Sequence, residues 1–349
     1  MLTQPLYETY QRFRTLQTHK ISSLPIVILM PHSACNCRCT MCDIWKGNQN
    51  LRQLSEADIE RLLCTLKKMG TKRVLMSGGE ALLNSNFFRF CEMLRKEDIN
   101  ITLLSTGLTL KKNAASLVKY VNDIIVSLDG DEVTHDSIRN IHGAFKIMAD
   151  GIQEIRSLSP GYRIGSRTVI HRLNFNKWIP LLISAKIIGI SQVSFLPADV
   201  SSHAFNRQQA WDVGRQEEIL LSEDQLPALQ MIIKTIVEDW KFEFESGFIA
   251  ESPLKLQQIH DYYSAFYGKN PFPYKKCNAP WVSTVVEADG TVRPCFFHEP
   301  LGNIHDQTLE EIINSEKAIR FRKNLRMETN STCLKCVCTL NLSPRAGHF

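Results

Sequence analysis

The chemistry of this sequence is concentrated in its thiols. Cys35, Cys39 and Cys42 form a C-x3-C-x2-C loop, with Cys37 inside it. Thiolates hold iron–sulfur clusters, and a four-iron cluster takes four ligands. A loop of three cysteines therefore leaves one iron open to another molecule. Zinc is the alternative, but it usually takes C-x2-C pairs completed by a second pair or by histidines. Only Cys37 and His32 lie near enough in sequence to serve as a fourth ligand, so zinc fits poorly. A second group, Cys277, Cys295, Cys333, Cys336 and Cys338, occupies the last quarter of the chain. The total of 11 cysteines is odd, and the N-terminus has no apolar signal region. A disulfide framework is therefore not expected, and a cytoplasmic location is. Two thiol groups in a cytosolic protein point to metal. Cys64 and Cys91, which lie between them, fall in helical patterns and read as buried small hydrophobes.

These thiols need a scaffold, and the sequence from residue 25 to about 197 supplies an alternating one. Short apolar runs at Pro25–Met30, Arg73–Ser77, Ile101–Ser105, Ile124–Leu128, Thr168–Ile170 and Val193–Leu196 read as strands. Helical patterns separate them: a capped one from Ser55 to Gly70, then Phe87–Leu94, Ala114–Tyr120, Ala144–Leu158 and Lys177–Ile188. Six strands alternating with helices imply a parallel sheet with right-handed crossovers, open or curled toward a barrel. Residues 198–221 are polar and irregular. Helices are expected from Ser222 to about Trp240 and over Ala250–Phe266. Val282–Glu287 and Thr291–Cys295, joined through Ala288-Asp289-Gly290, read as a hairpin, and Thr308–Leu325 as a helix. With 349 residues, 44% hydrophobic and 22% charged, the chain can bury a large core. No apolar run approaches the ~20 residues of a membrane span. The formal net charge of +5 is scattered, so nucleic acid is not an expected partner.

Cys35-Asn36-Cys37-Arg38-Cys39-Thr40-Met41-Cys42 resembles the signature of the radical S-adenosylmethionine (SAM) superfamily. The resemblance extends over roughly residues 25–200. It includes Ser77-Gly78-Gly79-Glu80, similar to the family's GGE motif although Ala81 replaces the usual proline, and Leu104-Ser105-Thr106-Gly107 without the usual asparagine. Val126–Gly130 and His135–Arg139 follow in order. It implies an α/β fold: a partial (β/α)6 TIM-like barrel with a small C-terminal cysteine-rich domain of β-hairpin plus helices. It also implies that Cys35, Cys39 and Cys42 bind a [4Fe-4S] cluster whose open iron is chelated by SAM. Reductive cleavage of SAM then gives a 5′-deoxyadenosyl radical that abstracts hydrogen from a substrate. Gly78, Gly79, Glu80, Ser105, Ser127 and Asp129 would line the SAM site, with Glu80 meeting the amino group. Cys37 reads as a packed bystander.

The second thiol group resembles the SPASM or Twitch auxiliary-cluster extension. Cys277, Cys295, Cys333 and Cys336 would ligate one auxiliary [4Fe-4S] cluster completely, leaving Cys338 spare or as an alternate ligand; a structural zinc knot competes. The implied organisation is an N-terminal helical extension (1–24), a radical SAM core (25–240), a helical connection (241–276) and the auxiliary domain (277–349). Arg139, His171 and Asp199 are candidate catalytic residues, with His203 and Arg207 as further candidates in the loop after the sixth strand. Tyr262, Tyr263, Phe266, Tyr267, Phe272 and Tyr274 are expected to pack beneath a cluster. A fully ligated auxiliary cluster suggests an electron acceptor, hence dehydrogenation of a sugar or natural-product intermediate by a radical SAM oxidoreductase or transferase. The alternative is a peptide-modifying maturase. With 34 residues ahead of Cys35, the peptide-recognition domain common in such maturases is not expected here. Nor is GTP cyclisation, since the end reads Arg345-Ala346-Gly347-His348-Phe349 rather than as a diglycine tail. A zinc-binding module for nucleic acid or protein is the reading of another class. The implied partners are a small-molecule or peptide substrate and a low-potential donor such as flavodoxin or ferredoxin.

Overall fold

The computed structural model describes residues 4–207 and 209–345; the C-terminal residues 346–349, read above against a diglycine tail, lie outside them. Strands β1 (Ile26–Leu29), β2 (Arg73–Met76), β3 (Asn100–Ser105), β4 (Asp123–Ser127), β5 (Arg163–Ile170) and β6 (Gln192–Pro197) are parallel neighbours in chain order. Each is joined to the next by helical segments. Burial explains why these short runs are strands. Val27, Leu29, Val74, Met76, Ile101, Leu103, Ile124 and Val126 are all fully buried, as in a sheet covered by its crossover helices. Parallel strands bring all their C-terminal ends to one rim, where ligands bind in such architectures. On that rim lie the cysteine loop after β1, Gly78–Glu80 after β2, Thr106 after β3, Asp129 after β4, His171 after β5 and Asp199 after β6.

The C-terminal hairpin continues the same sheet. β7 (Ser283–Val286) pairs parallel with β1, Ile26 against Ser283 and Leu29 against Val286. β8 (Thr291–Arg293) and β9 (Gly302–Asn303) follow antiparallel. Helix Leu309–Ile313 packs on helix Glu56–Lys68, with His305 bonded to Asp58 at 3.0 Å and Lys68 to Glu310 at 2.7 Å. Leu309, Ile312 and Ile313 share one core cluster with Leu62 and Leu66. The N-terminal helix Gln4–Thr18 lies against this C-terminal part, Arg12 donating to the carbonyls of Ser343 and Arg345. The far edge is covered as well: Val193 and the backbone of Phe248 and Ala250 exchange hydrogen bonds, leaving less of β6 open to strangers.

Several local expectations change. Thr308–Leu325 is two helices, Leu309–Ile313 and Glu316–Asn324, because Ser315 interrupts it and caps the second, its Oγ accepting from Ala318 N at 3.2 Å. The irregular stretch 198–221 contains helix Val213–Ile219, capped by Asp212. A helix over Glu132–Arg139 also forms, opened by Asp131 and closed by Asn140 in the left-handed conformation at φ 52°. Cys64 is exposed, not buried, while Cys91 is fully buried. Tyr262, Phe266 and Phe272 pack edge to face, but Tyr274 is exposed.

Candidate functional site

The cysteine loop is held by its neighbours on the rim. Arg38 N donates to the Arg139 carbonyl at 3.1 Å and Thr40 N to that of Ile138 at 3.0 Å, so the end of helix Glu132–Arg139 fixes the loop's backbone. Asn48 brackets Cys35, accepting from its N–H at 3.0 Å and donating to its carbonyl at 2.9 Å. Cys37 is buried among these sulfurs. It retains its proton through contacts to Cys35 and Cys39, which pushes its own value up. Cys39 is drawn down to about 7, first by Cys37 and also by Arg139, whose Nη1 lies 3.4 Å from its sulfur. Burial pushes Cys42 up to about 12. His32 turns away from a ligand role, since its Nδ1 accepts from Ala34 N at 2.9 Å.

Gly78 and Gly79 let the β2 turn meet this loop. A Cβ on Gly79 would come 2.0 Å from the Ala34 carbonyl oxygen, and Gly78 has a φ of +110°. Glu80 is fully buried and faces the end of β3. Its carboxylate accepts from Thr106 N at 2.7 Å, Thr106 Oγ1 at 2.8 Å and Ser105 Oγ at 3.0 Å. Burial raises its pKa, and those same hydrogen bonds oppose the rise. Glu80 and Ser105 therefore join two strand ends, and Thr106, absent from the sequence-derived site, is the link between them.

Asp129, Arg139, His135 and His171 form a buried cluster behind the cysteine loop. Arg139 Nε meets Asp129 Oδ2 at 2.5 Å, and His135 Nδ1 lies 3.7 Å from the same oxygen. Burial alone would lower the arginine's value, but Asp129 and Cys39 reverse that and it stays charged. Burial lowers both His135 and His171 to about 4, so both imidazoles are neutral. Asp129 Oδ1, His135 Nε2, His171 Nε2 and Ser166 Oγ are buried without a hydrogen-bond partner. Such orphans on a ligand-binding rim fit a bound polar cofactor better than an empty core. Ser127 sits half-buried at the end of β4. Asp199 is not a free carboxylate: Arg207 pairs with it at 2.8 Å and Ser202 donates to it at 2.5 Å. Arg207 is buried rather than solvated.

One cavity adjoins this rim and another lies within the C-terminal part. One, of about 820 Å³, lies between Gly78, Gly79, Lys46 and His203 on the core side and Glu287, Phe296 and Glu299 of the C-terminal part. The other is small and lined by Cys277, Cys295, Cys333, Cys336 and Cys338, with Lys275 and His298. The segment Cys295–Glu299 is the wall between them, Phe296 and Glu299 facing the first and Cys295, Phe297 and His298 the second. His298 Nε2 lies 3.4 Å from Cys333 Sγ. Burial pushes Cys295 up to about 12 and Cys333 to about 11; a cationic iron centre is what would offset that cost. Among the described residues, no three His, Cys, Asp or Glu side chains are placed to share a single metal ion. A lining that carries five cysteine sulfurs suits an iron–sulfur cluster.

The comparisons with known proteins agree with this chemistry. The radical SAM superfamily matches residues 29–181, and an iron–sulfur cluster-binding domain, SPASM, matches 277–337. The chain belongs to the radical SAM superfamily and carries a SPASM domain in its C-terminal region. Its cofactors are accordingly SAM, a SAM-binding [4Fe-4S] cluster and an auxiliary cluster. Among curated relatives, the sporulation killing factor maturation protein SkfB of Bacillus subtilis is 23% identical, over 92% of this chain and 71% of its own length. The antilisterial bacteriocin subtilosin biosynthesis protein AlbA of the same organism is 24% identical, over 87% of this chain and 62% of its own. Among solved structures, Streptococcus suis SuiB bound to its precursor peptide SuiA shares the fold. Its TM-score is 0.64 at 16% identity, covering 95% of this chain and 74% of that one. No helix among the described residues is long and apolar enough to cross a membrane.

Proposed function

We propose that this chain is a radical SAM maturase that modifies a peptide. The observation that carries the reading is similarity along most of the chain to SkfB, a maturation protein, and AlbA, a bacteriocin biosynthesis protein. The fold shared with a peptide-bound SuiB accords with it. Those relatives favour the peptide alternative over dehydrogenation of a sugar. The cavity of about 820 Å³ is near the upper end of the ~300–1,000 Å³ usual for ligand pockets; bordered by Gly78 and Gly79, it offers room for SAM and, beyond it, for a side chain presented on a peptide.

In this reading Cys35, Cys39 and Cys42 hold the SAM-cleaving cluster, while Cys277, Cys295, Cys333 and Cys336 hold the auxiliary one. The bound cofactors supply a hydrogen-abstracting carbon radical and, at the auxiliary site, an electron acceptor. The chain's own residues place and protect them. Gly78 and Gly79 permit close backbone approach, and the buried orphans Asp129 Oδ1, His171 Nε2 and Ser166 Oγ offer polar partners to SAM. Arg139, paired with Asp129, orients the Cys39 thiolate. His203, beside Glu299 at 3.8 Å, faces the substrate cavity, as Asp199 does not. A low-potential carrier such as flavodoxin or ferredoxin supplies the electron.

The test compares pools of synthetic peptides with a set of hexoses and aminocyclitols, using anaerobically purified protein, SAM and dithionite. Stimulated 5′-deoxyadenosine formation with a mass change in a peptide supports the reading. Stimulation by a sugar, with oxidation of that sugar and none of any peptide, overturns it.

A further inference from the structure

The loop after β6 crosses the first thiol loop and is tied to it by more than chance contact. Arg207 Nη1 donates to Asp199 Oδ2 at 2.8 Å and Nη2 to the Asp199 carbonyl at 3.0 Å. Its guanidinium carbon then lies 3.7 Å from the Trp211 ring centroid, and that of Arg215 lies 4.7 Å from it. Two planar cations against one indole restrict its rotation. The indole N–H donates to Asp43 Oδ2 at 2.7 Å, and both residues are buried. Asp43 is the residue after Cys42. The same loop reaches the thiol loop twice more: Arg215 donates to the Thr40 carbonyl, and Asn206 Nδ2 to the Asp43 carbonyl at 3.4 Å. Asn206 also stands so near Gly47 that a Cβ there would come within 2.8 Å of its Nδ2. Phe205 and Asn206 hold φ of 62° and 65°, left-handed conformations that a non-glycine pair keeps only where its surroundings fix it.

We propose that Trp211 is a positioning residue for Cys42: clamped by Arg207 and Arg215, it fixes the third cysteine's end of the loop through its indole N–H on the Asp43 carboxylate. The role needs only the thiol loop and SAM, so it stands or falls apart from any peptide substrate. A hydrogen bond to a buried carboxylate is directional, and losing it leaves the loop above holding this segment only through the backbone carbonyls of Asp43 and Thr40, so the Asp43 side chain and the adjoining Cys42 are less firmly placed.

The experiment uses full-length protein reconstituted anaerobically with iron and sulfide, and SAM as the probe. SAM is titrated against the paramagnetic resonance signal of the reduced cluster, and iron loss to a chelator is followed separately. Trp211→Phe keeps the ring and removes the N–H. It should raise the SAM concentration for half-maximal spectral change about tenfold, one charge-assisted hydrogen bond's worth, and hasten iron loss. Asp43→Leu should do the same without touching the indole. Asp43→Asn keeps an acceptor for the N–H and should remain near wild type. Circular dichroism establishes folding first; if Trp211→Phe does not fold, the contrast between Asp43→Leu and Asp43→Asn decides. Wild-type titration and iron retention in both Trp211→Phe and Asp43→Leu overturn the proposal. So does an Asp43→Asn variant as impaired as Asp43→Leu, which would assign the effect to carboxylate charge.

Discussion

Asp129 and Arg139 read from sequence as separate cofactor and catalytic residues; their geometry makes them first of all partners. The carboxylate is fully buried, the guanidinium nearly so, and they meet at 2.5 Å. Removing one charge strands the other in a low-dielectric interior, at a cost of about 3–5 kcal/mol, whereas replacing both by apolar side chains is often neutral. Asp129→Leu should therefore cost about 3–5 kcal/mol in urea unfolding. At roughly 2–4 °C per kcal/mol in a chain somewhat smaller than this, the melting point falls by about 5 °C or more. Arg139→Met should cost a similar amount. The double variant should recover much of the loss, a coupling of about 2 kcal/mol or more, because no lone charge remains. The assay is urea denaturation of the purified full chain, read by circular dichroism. An Asp129→Leu loss below about 1 kcal/mol, or single losses that simply add in the double variant, would refute the reasoning. The pair would then be solvated or dispensable, and Arg139 would have no fixed aim at Cys39.

Other outcomes follow from the same structure. His135 and His171, ordinarily near 6.5, are lowered to about 4 by burial. The unfolded chain therefore binds more protons in that window, and their stabilising share, present above 6.5, is lost as pH falls toward 4, by at most about 3 kcal/mol per imidazole; unfolding curves that do not change with pH through the window would contradict this. Ile312 is fully buried in the core shared by the hairpin end and helix Glu56–Lys68, so Ile312→Ala should cost about 2–5 kcal/mol. It should shift one common transition, and a second, independently melting unit would contradict the continuous sheet. Changing Cys277, Cys295, Cys333 and Cys336 together to alanine should lower iron from about eight to about four per chain. SAM cleavage should continue while product formation is lost; unchanged iron would mean other ligands.

Much of this arrangement was legible because its signals are local. Six apolar runs separated by helical patterns marked β1–β6, and C-x3-C-x2-C marked the loop that follows β1. What the sequence hid depends on contacts between distant residues. Trp211 and Asp43 are 168 positions apart, and Thr106 and Asn36, bonded at 2.9 Å, are 70 apart. Neither pair leaves a periodic trace. Glu80 shows the same limit: a GGE motif announces a carboxylate at a strand end, but not that Ser105 and Thr106 would engage it. Asp131 and Asn140, a cap at each end of helix Glu132–Arg139, were readable signals that the hydrophobic pattern alone does not weigh.

The pairing of β7 with β1 has a consequence for chemistry as well as stability. β1 feeds the first thiol loop at its C-terminal end, through Met30 to Cys35, and β7 runs in the same direction alongside it. The hairpin from β7 through β8 then delivers Cys295 and the wall Phe296–Glu299 directly beside the large cavity. Phe205 of the loop after β6 packs on Phe296 at 5.0 Å and on Phe297 at 6.2 Å, while Asn206 and Trp211 of that loop bind Asp43. The first thiol loop and Cys295 of the second group are thus referenced to one sheet and one crossing loop. Packed elements move together, so their separation should be a fixed property of the fold. Because the wall is a single short segment with Phe296 and Glu299 on one side and Cys295 and His298 on the other, a substrate in the cavity would lie one layer of side chains from the auxiliary sulfurs.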